Sequence, residues 1–182
     1  MAKKSKKSGG SILGFVFLGL VLVGLVLVVV GMFTGQVTHT YMKLTQEVKE
    51  SIPLFHEDWN KVIELGVAKV TYPSNTLGII AFIVALVGLV VLLATGVMQS
   101  VLKKEGSIYN ILRVAGVALT IIGAVLILVS GITMAKACYG DYQEALEKIK
   151  NFYSVGTGVW LGFIGGLVGG ICGCLPLFKP FQ

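Results

Sequence analysis

A chain of 182 residues that is 55% hydrophobic and 13% charged, with a mean hydropathy of +0.86, excludes a soluble globular domain and describes one membrane domain. Its net charge of +6 is a topology signal with some attraction to anionic lipid. A nucleic-acid partner is excluded on the same ground.

Hydropathy predicts four spans, at 11–33, 76–98, 111–134 and 155–175, each close to the length a tilted helix needs to cross a bilayer. They make one membrane domain over 11–177, preceded by a basic tail (1–10) and followed by a short tail (178–182). The tail holding Lys3, Lys4, Lys6 and Lys7 has nothing to bury and is expected to lie disordered against the inner leaflet. Ala2 stands where N-myristoylation requires glycine. The first span is longer than a signal-peptide core and shows no small-x-small cleavage site, so it reads as a true span. Its glycines, Gly14, Gly19, Gly24 and Gly31, are spaced irregularly and predict no clean contact stripe.

Cations set the predicted orientation. Lys3, Lys4, Lys6, Lys7, Lys103, Lys104, Arg113 and Lys179 share one side with a single acid, Glu105, whereas basic and acidic residues nearly balance in the loops 34–75 and 136–154. Both termini are therefore expected in the cytoplasm and both long loops outside, in a plasma or cell membrane.

In the first loop, Val37, Tyr41, Leu44, Val48 and Ile52 follow steps of four, three, four and four, which predicts a helix that Pro53 interrupts. Phe55, Trp59, Val62, Ile63 and Gly66 predict a second short helix. Tyr72–Asn75 reads as a turn in which Ser74 or Asn75 caps the second span. In the second loop, Asp141 and Glu144 have the spacing of an N-terminal cap, and Tyr142, Ala145, Leu146, Ile149 and Phe152 follow at helical steps. The expected architecture is an all-α, antiparallel four-helix bundle with a small, mostly helical extracellular cap. Trp59 can be the core of that cap or part of a partner-binding patch. Phe55, Trp59, Tyr139 and Tyr142 are the candidate external contacts.

The second and third spans carry small residues in register: Ala81, Ala85 and Gly88, then Ala115, Gly116, Gly123, Ala124 and Gly131. The fourth is the most distinctive. Gly158, Gly162, Gly166 and Gly170 form one row, and Gly165, Gly169 and Gly173 a second. In lipid, small residues at every fourth position let backbones approach closely enough for dispersion to hold them. One row is expected inside the bundle, and the other, at Gly165 and Gly169, is available to a partner.

Chemistry is mostly absent. No Asp, Glu, Lys, Arg or His lies within the interior of a span, and only the hydroxyls of Thr95, Thr120, Ser130 and Thr157 interrupt the apolar runs, which disfavours a pump or proton-coupled carrier. His39 and His56 read as surface residues, their spacing not being that of a metal site. No H-E-x-x-H, G-x-S-x-G or P-loop pattern occurs, so no enzymatic activity, catalytic residue, metal or cofactor is expected. Cys138 reads as a packed free thiol. Cys172 and Cys174, near the predicted cytoplasmic end of the last span, are candidates for palmitoylation or simply small helix-packing residues.

The span order and loop lengths resemble those of the claudin, PMP22 and calcium-channel gamma-subunit group. The last span is similar to the claudin pattern at Gly156, Trp160, Gly162, Gly169, Gly170, Cys172, Cys174 and Pro176, and the third at Arg113, Gly116, Val117, Gly123 and Ser130. The group's first-loop hallmark, a tryptophan, G-L-W and two disulfide-forming cysteines, is absent: this loop has Trp59 and no cysteine. The claudin loop is largely a β-sheet, whereas this one reads as helical. The resemblance implies a four-helix bundle and possible palmitoylation. The expected function is a non-enzymatic tetraspan acting by lateral assembly and extracellular contact with itself or another membrane protein; the alternative is a small oligomeric channel or transport-complex subunit.

Overall fold

Long apolar runs leave a backbone in lipid one way to satisfy its own N–H and C=O groups, which is the helix. The computed structural model describes residues 9–43, 45–57, 59, 62–65, 68–102, 106–138 and 152–177. It contains helices α1 (Gly9–Phe33), α2 (Thr76–Ser100), α3 (Ser107–Ala137) and α4 (Thr157–Cys174), the last running into a 3-10 turn at Leu175–Leu177. All four are long and apolar enough to span a membrane. They form a bundle in which α4 lies between α1 and α3, and α2 lies between the same two neighbours on the opposite side. The start of α1 and the end of α4 share one end of this bundle, called here the terminal side.

The other end carries β-structure, which corrects the helical reading of the first loop. Strands β1 (Gly35–Lys43) and β2 (Gln46–Pro53) form an antiparallel hairpin, and β5 (Phe152–Val155) pairs with the free side of β1, giving the order β2-β1-β5. Strands β3 (Val62–Leu65) and β4 (Ala68–Thr71) make a separate two-stranded ribbon where the second short helix was expected. The physical reason lies in the period. A step of four is two strand repeats as well as about one helical turn, so Val37 and Tyr41 share a face of β1, as Val48 and Ile52 share one of β2. The hairpin then sets Val37 opposite Ile52 and Tyr41 opposite Val48. Residues read as consecutive turns of a helix are cross-strand partners, and the β-branched and aromatic content of VTHTY favours that outcome. The helix expected at 141–152 lies outside the described residues except for Phe152, which is in β5.

Two cores result. One runs through the bundle and contains Val21, Val28, Leu54, Phe82, Leu89, Leu92, Ile127 and Val159. The other lies beneath the sheet, where Val37, Ile52, Tyr72 and Tyr153 close over Met134, Ala135 and Cys138 at the end of α3. The sheet is joined to the helices with almost no slack. Only Thr34 separates α1 from β1. A bulge makes Gln36 the extra residue, since Gly35 pairs with Pro53 and Val37 with Ile52. The Gln36 carbonyl accepts from the Gly156 N–H at 2.8 Å, immediately before α4. Gly156 lies so close to the Gly35 carbonyl that no Cβ would fit there.

Asn75 precedes α2 but does not cap it through its side chain, contrary to the sequence expectation. Its amide instead donates to the buried Leu54 carbonyl, fastening the chain after β2 to the top of α2. The Ser74 hydroxyl likewise turns to Thr76 Oγ1, at 2.8 Å.

Candidate packing faces and contact surface

Every glycine named on α4 is buried: Gly158, Gly162, Gly165, Gly166, Gly169, Gly170 and Gly173. They divide among three neighbours. Gly158 and Gly165 face α1, where an added Cβ would stand 2.5 Å from Gly31 O and 2.7 Å from Gly24 O respectively. Gly166 and Gly170 face α3, at 2.7 Å from the Ala124 Cβ and 3.0 Å from the Ile121 Cγ1. Gly162, Gly169 and Gly173 face across the core to α2, whose Phe82, Leu89 and Leu92 fill the hollows they leave. Large side chains on one helix thus enter gaps left by glycine on another, which maximises dispersion where lipid supplies no hydrophobic drive. The row at Gly165 and Gly169, expected to be open to a partner, is occupied within the bundle by α1 and α2. Among the other small residues, Ala81, Ala85, Gly88, Gly116, Gly123, Ala124 and Gly131 are buried as well, whereas Ala115 is exposed.

Sequence reading missed the α1 half of the closest contact. Gly24 and Gly31 are seven residues, or two turns, apart and lie on one face against Gly165 and Gly169 and against Gly158 and Gly162. That seven-residue spacing was the available signal, obscured by Gly14 and Gly19. A methyl group added to Gly19 would meet nothing within 4 Å. The outer face of α1, including Phe15, Leu22, Val26 and Val30, is exposed in the isolated chain.

Gln36 was missed too. It is 2% exposed, and its Nε2 donates to Gly31 O at 2.7 Å, satisfying one of the carbonyls that a helix leaves open at its C-terminus. The intramembrane hydroxyls satisfy themselves locally. Thr95, Thr120 and Ser130 donate to Val91, Gly116 and Ile127 carbonyls at 2.9, 2.8 and 2.8 Å on their own helices, so these three line no polar path.

On the sheet side, Trp59 donates from Nε1 to Pro53 O at 2.8 Å, meets Tyr72 edge-on and packs against the core beneath the sheet. Phe55 behaves differently. It is 56% exposed and stands 6.2 Å, ring centre to ring centre, from Phe33, itself 69% exposed at the end of α1. Tyr139 and Tyr142 lie outside the described residues. The outer strand β2 exposes Glu47, Lys49 and Glu50, and Lys49 pairs with Glu47 at 3.3 Å, a charged edge of the kind that resists indiscriminate strand addition.

His39 stacks on Tyr153 at 4.4 Å across the β1–β5 pair. Among the described residues no group of three or more His, Cys, Asp or Glu could hold a metal ion. Cys138 is a free thiol beneath the sheet, and burial pushes it up to about 12. Cys172 and Cys174 are free and half-buried at the terminal side. The chain matches no protein-family model and no curated protein.

Proposed function

We propose that this chain is a non-enzymatic, claudin-like tetraspan membrane protein that works by lateral assembly and contact, with both termini cytoplasmic and the sheet outside. The observation that carries this reading is the sheet β2-β1-β5, which joins the segment after α1 to the segment before α4 and makes one built surface at a single end of the bundle. The sheet also removes one difference from claudins, whose first loop is largely a β-sheet where this one reads as helical from the sequence. The usual cysteine pair of that loop is absent, and the cluster of Val37, Ile52, Tyr153 and Cys138 provides the hydrophobic support beneath it.

The glycine faces hold the four helices to each other, so assembly draws on the outer surfaces: the apolar flank of α1, and the rim where Phe33 and Phe55 stand exposed beside the sheet. Two aromatic rings at such a boundary give a large contact area at small conformational cost. The partner is another copy or a larger membrane protein. Cys172 and Cys174, at the terminal end of α4, are the positions offered for palmitoylation. Chemical crosslinking in native membranes tests the assembly reading: a discrete crosslinked species is expected, and a purely monomeric chain with no co-purifying membrane protein contradicts it.

A further inference from the structure

Arg113 is 6% exposed, and no hydrogen bond or ion pair to it occurs among the described residues. No Asp or Glu occurs in any of the four helices. The guanidinium lines a partly open notch at the terminal side whose enclosed part is only about 20 Å³, so a ligand would sit at its mouth; it is bounded by Gly14 and Leu18 of α1, Gly96 and Ser100 of α2, and Cys172 and Pro176 beyond them. The missing side chain at Gly96 leaves room for Leu18, whose Cδ1 would stand 2.8 Å from a Cβ there, and Arg113 Nη2 lies 4.0 Å from the same point. A buried cation without an anion is strongly unfavourable, and a guanidinium carries five N–H donors with none accepted here by a carboxylate among the described residues. Among the described residues no side chain supplies the anion this notch calls for.

Its depth indicates which. At 31 residues α3 is ~46 Å long, against ~30 Å of hydrocarbon, so its ends extend into the headgroup layers. Arg113 lies six residues from the start of α3, or ~9 Å, at the boundary between headgroups and hydrocarbon. Phosphate oxygens match the guanidinium fork two at a time, and the Ser100 hydroxyl lines the same notch as a further donor.

We propose that this notch binds the phosphate of an anionic phospholipid, with Arg113 as its counter-ion and the acyl chains lying along the outer faces of the bundle. The inference rests on the membrane-spanning reading and is independent of the assembly reading. Its test is lipid titration of the full-length protein in mild detergent, followed by thermal midpoint and by native mass spectrometry. Phosphatidylglycerol, phosphatidylcholine and inorganic phosphate are the three probes. Phosphatidylglycerol is expected to raise the midpoint and remain bound, phosphatidylcholine to act more weakly, and inorganic phosphate to leave the midpoint unchanged.

Arg113→Gln should weaken phosphatidylglycerol at least tenfold, and Arg113→Lys should retain part of the effect. Gly14→Leu keeps the charge and fills the notch, the nearest obstacle being the rotatable Ser100 hydroxyl, so it should weaken binding comparably and decides the matter if Arg113→Gln does not fold. Unchanged phosphatidylglycerol affinity in these variants overturns the proposal. Inorganic phosphate matching the lipid overturns the lipid assignment in favour of a soluble anion.

Discussion

Gly24 and Gly165 meet backbone to backbone: a methyl group added to Gly24 would come within 2.6 Å of Gly165 O, and one added to Gly165 within 2.7 Å of Gly24 O. Neither obstacle is a side chain that can rotate away. The contact therefore sets the separation of α1 and α4, and Gly31 against Gly158 repeats it two turns further along α1.

Gly24→Ala and Gly165→Ala should each destabilise the folded bundle by ~1–3 kcal/mol, the usual range for overpacking, while Gly19→Ala should leave it unchanged within ~0.5 kcal/mol. Reversible unfolding in mixed micelles measures all three. Gly169→Leu should likewise cost folding stability, because Leu89 already occupies its space. A variant at Gly165 or Gly169 that lost only its oligomeric state would contradict this packing.

Gln36→Leu should cost ~1 kcal/mol, because the Gly31 carbonyl would lose its buried donor at 2.7 Å and keep only the longer bond from Thr34 Oγ1 at 3.3 Å. Gln36→Glu should be worse, since a carboxylate offers that carbonyl no donor when ionised and must be desolvated. Amide hydrogen exchange at the α1–β1 junction is the direct readout, with protection expected to fall in both variants.

Cys138 predicts an alkaline weakness. Burial raises its thiol from the ordinary 9.0 to about 12 in the folded chain, so the unfolded chain releases the proton first. Its contribution is intact below pH 9 and is lost as the pH rises towards 12. By pH 10 the loss is on the order of 1 kcal/mol, and Cys138→Ala should remove that part of the slope. A maleimide should label Cys138 only after unfolding.

Phe55→Ser should weaken assembly without unfolding the chain, since the ring is mostly exposed. Crosslinked yield should drop severalfold at unchanged thermal midpoint. An equal drop in both would instead make Phe55 a structural residue.

The four spans were legible because each is a long apolar run, with charge only near the ends of the third, at Arg113 and Lys136, and the seven named α4 glycines because their fourfold spacing is unusual. The sheet was not, because Val37, Tyr41, Val48 and Ile52 satisfy helical and strand periods together, and only the pairing of β1 with both β2 and β5 decides between them. That second pairing joins residues more than a hundred positions apart, such as Thr38 and Ser154, which local patterns cannot reveal. Gln36 stayed hidden for a related reason: a polar residue beside a helix end reads as solvated until its donor is seen to turn inward. Arg113 read as a cytoplasmic charge at the start of a span, and only the helices around it show that it is enclosed.

The most direct test of assembly is to count copies and partners in native-membrane nanodiscs by single-molecule photobleaching of a tagged full-length chain, with mass spectrometry of the same particles. Two or more bleaching steps are expected, or a stoichiometric membrane-protein partner, both diminished by Phe55→Ser. Single-step particles containing no other membrane protein would contradict lateral assembly as the way this chain works.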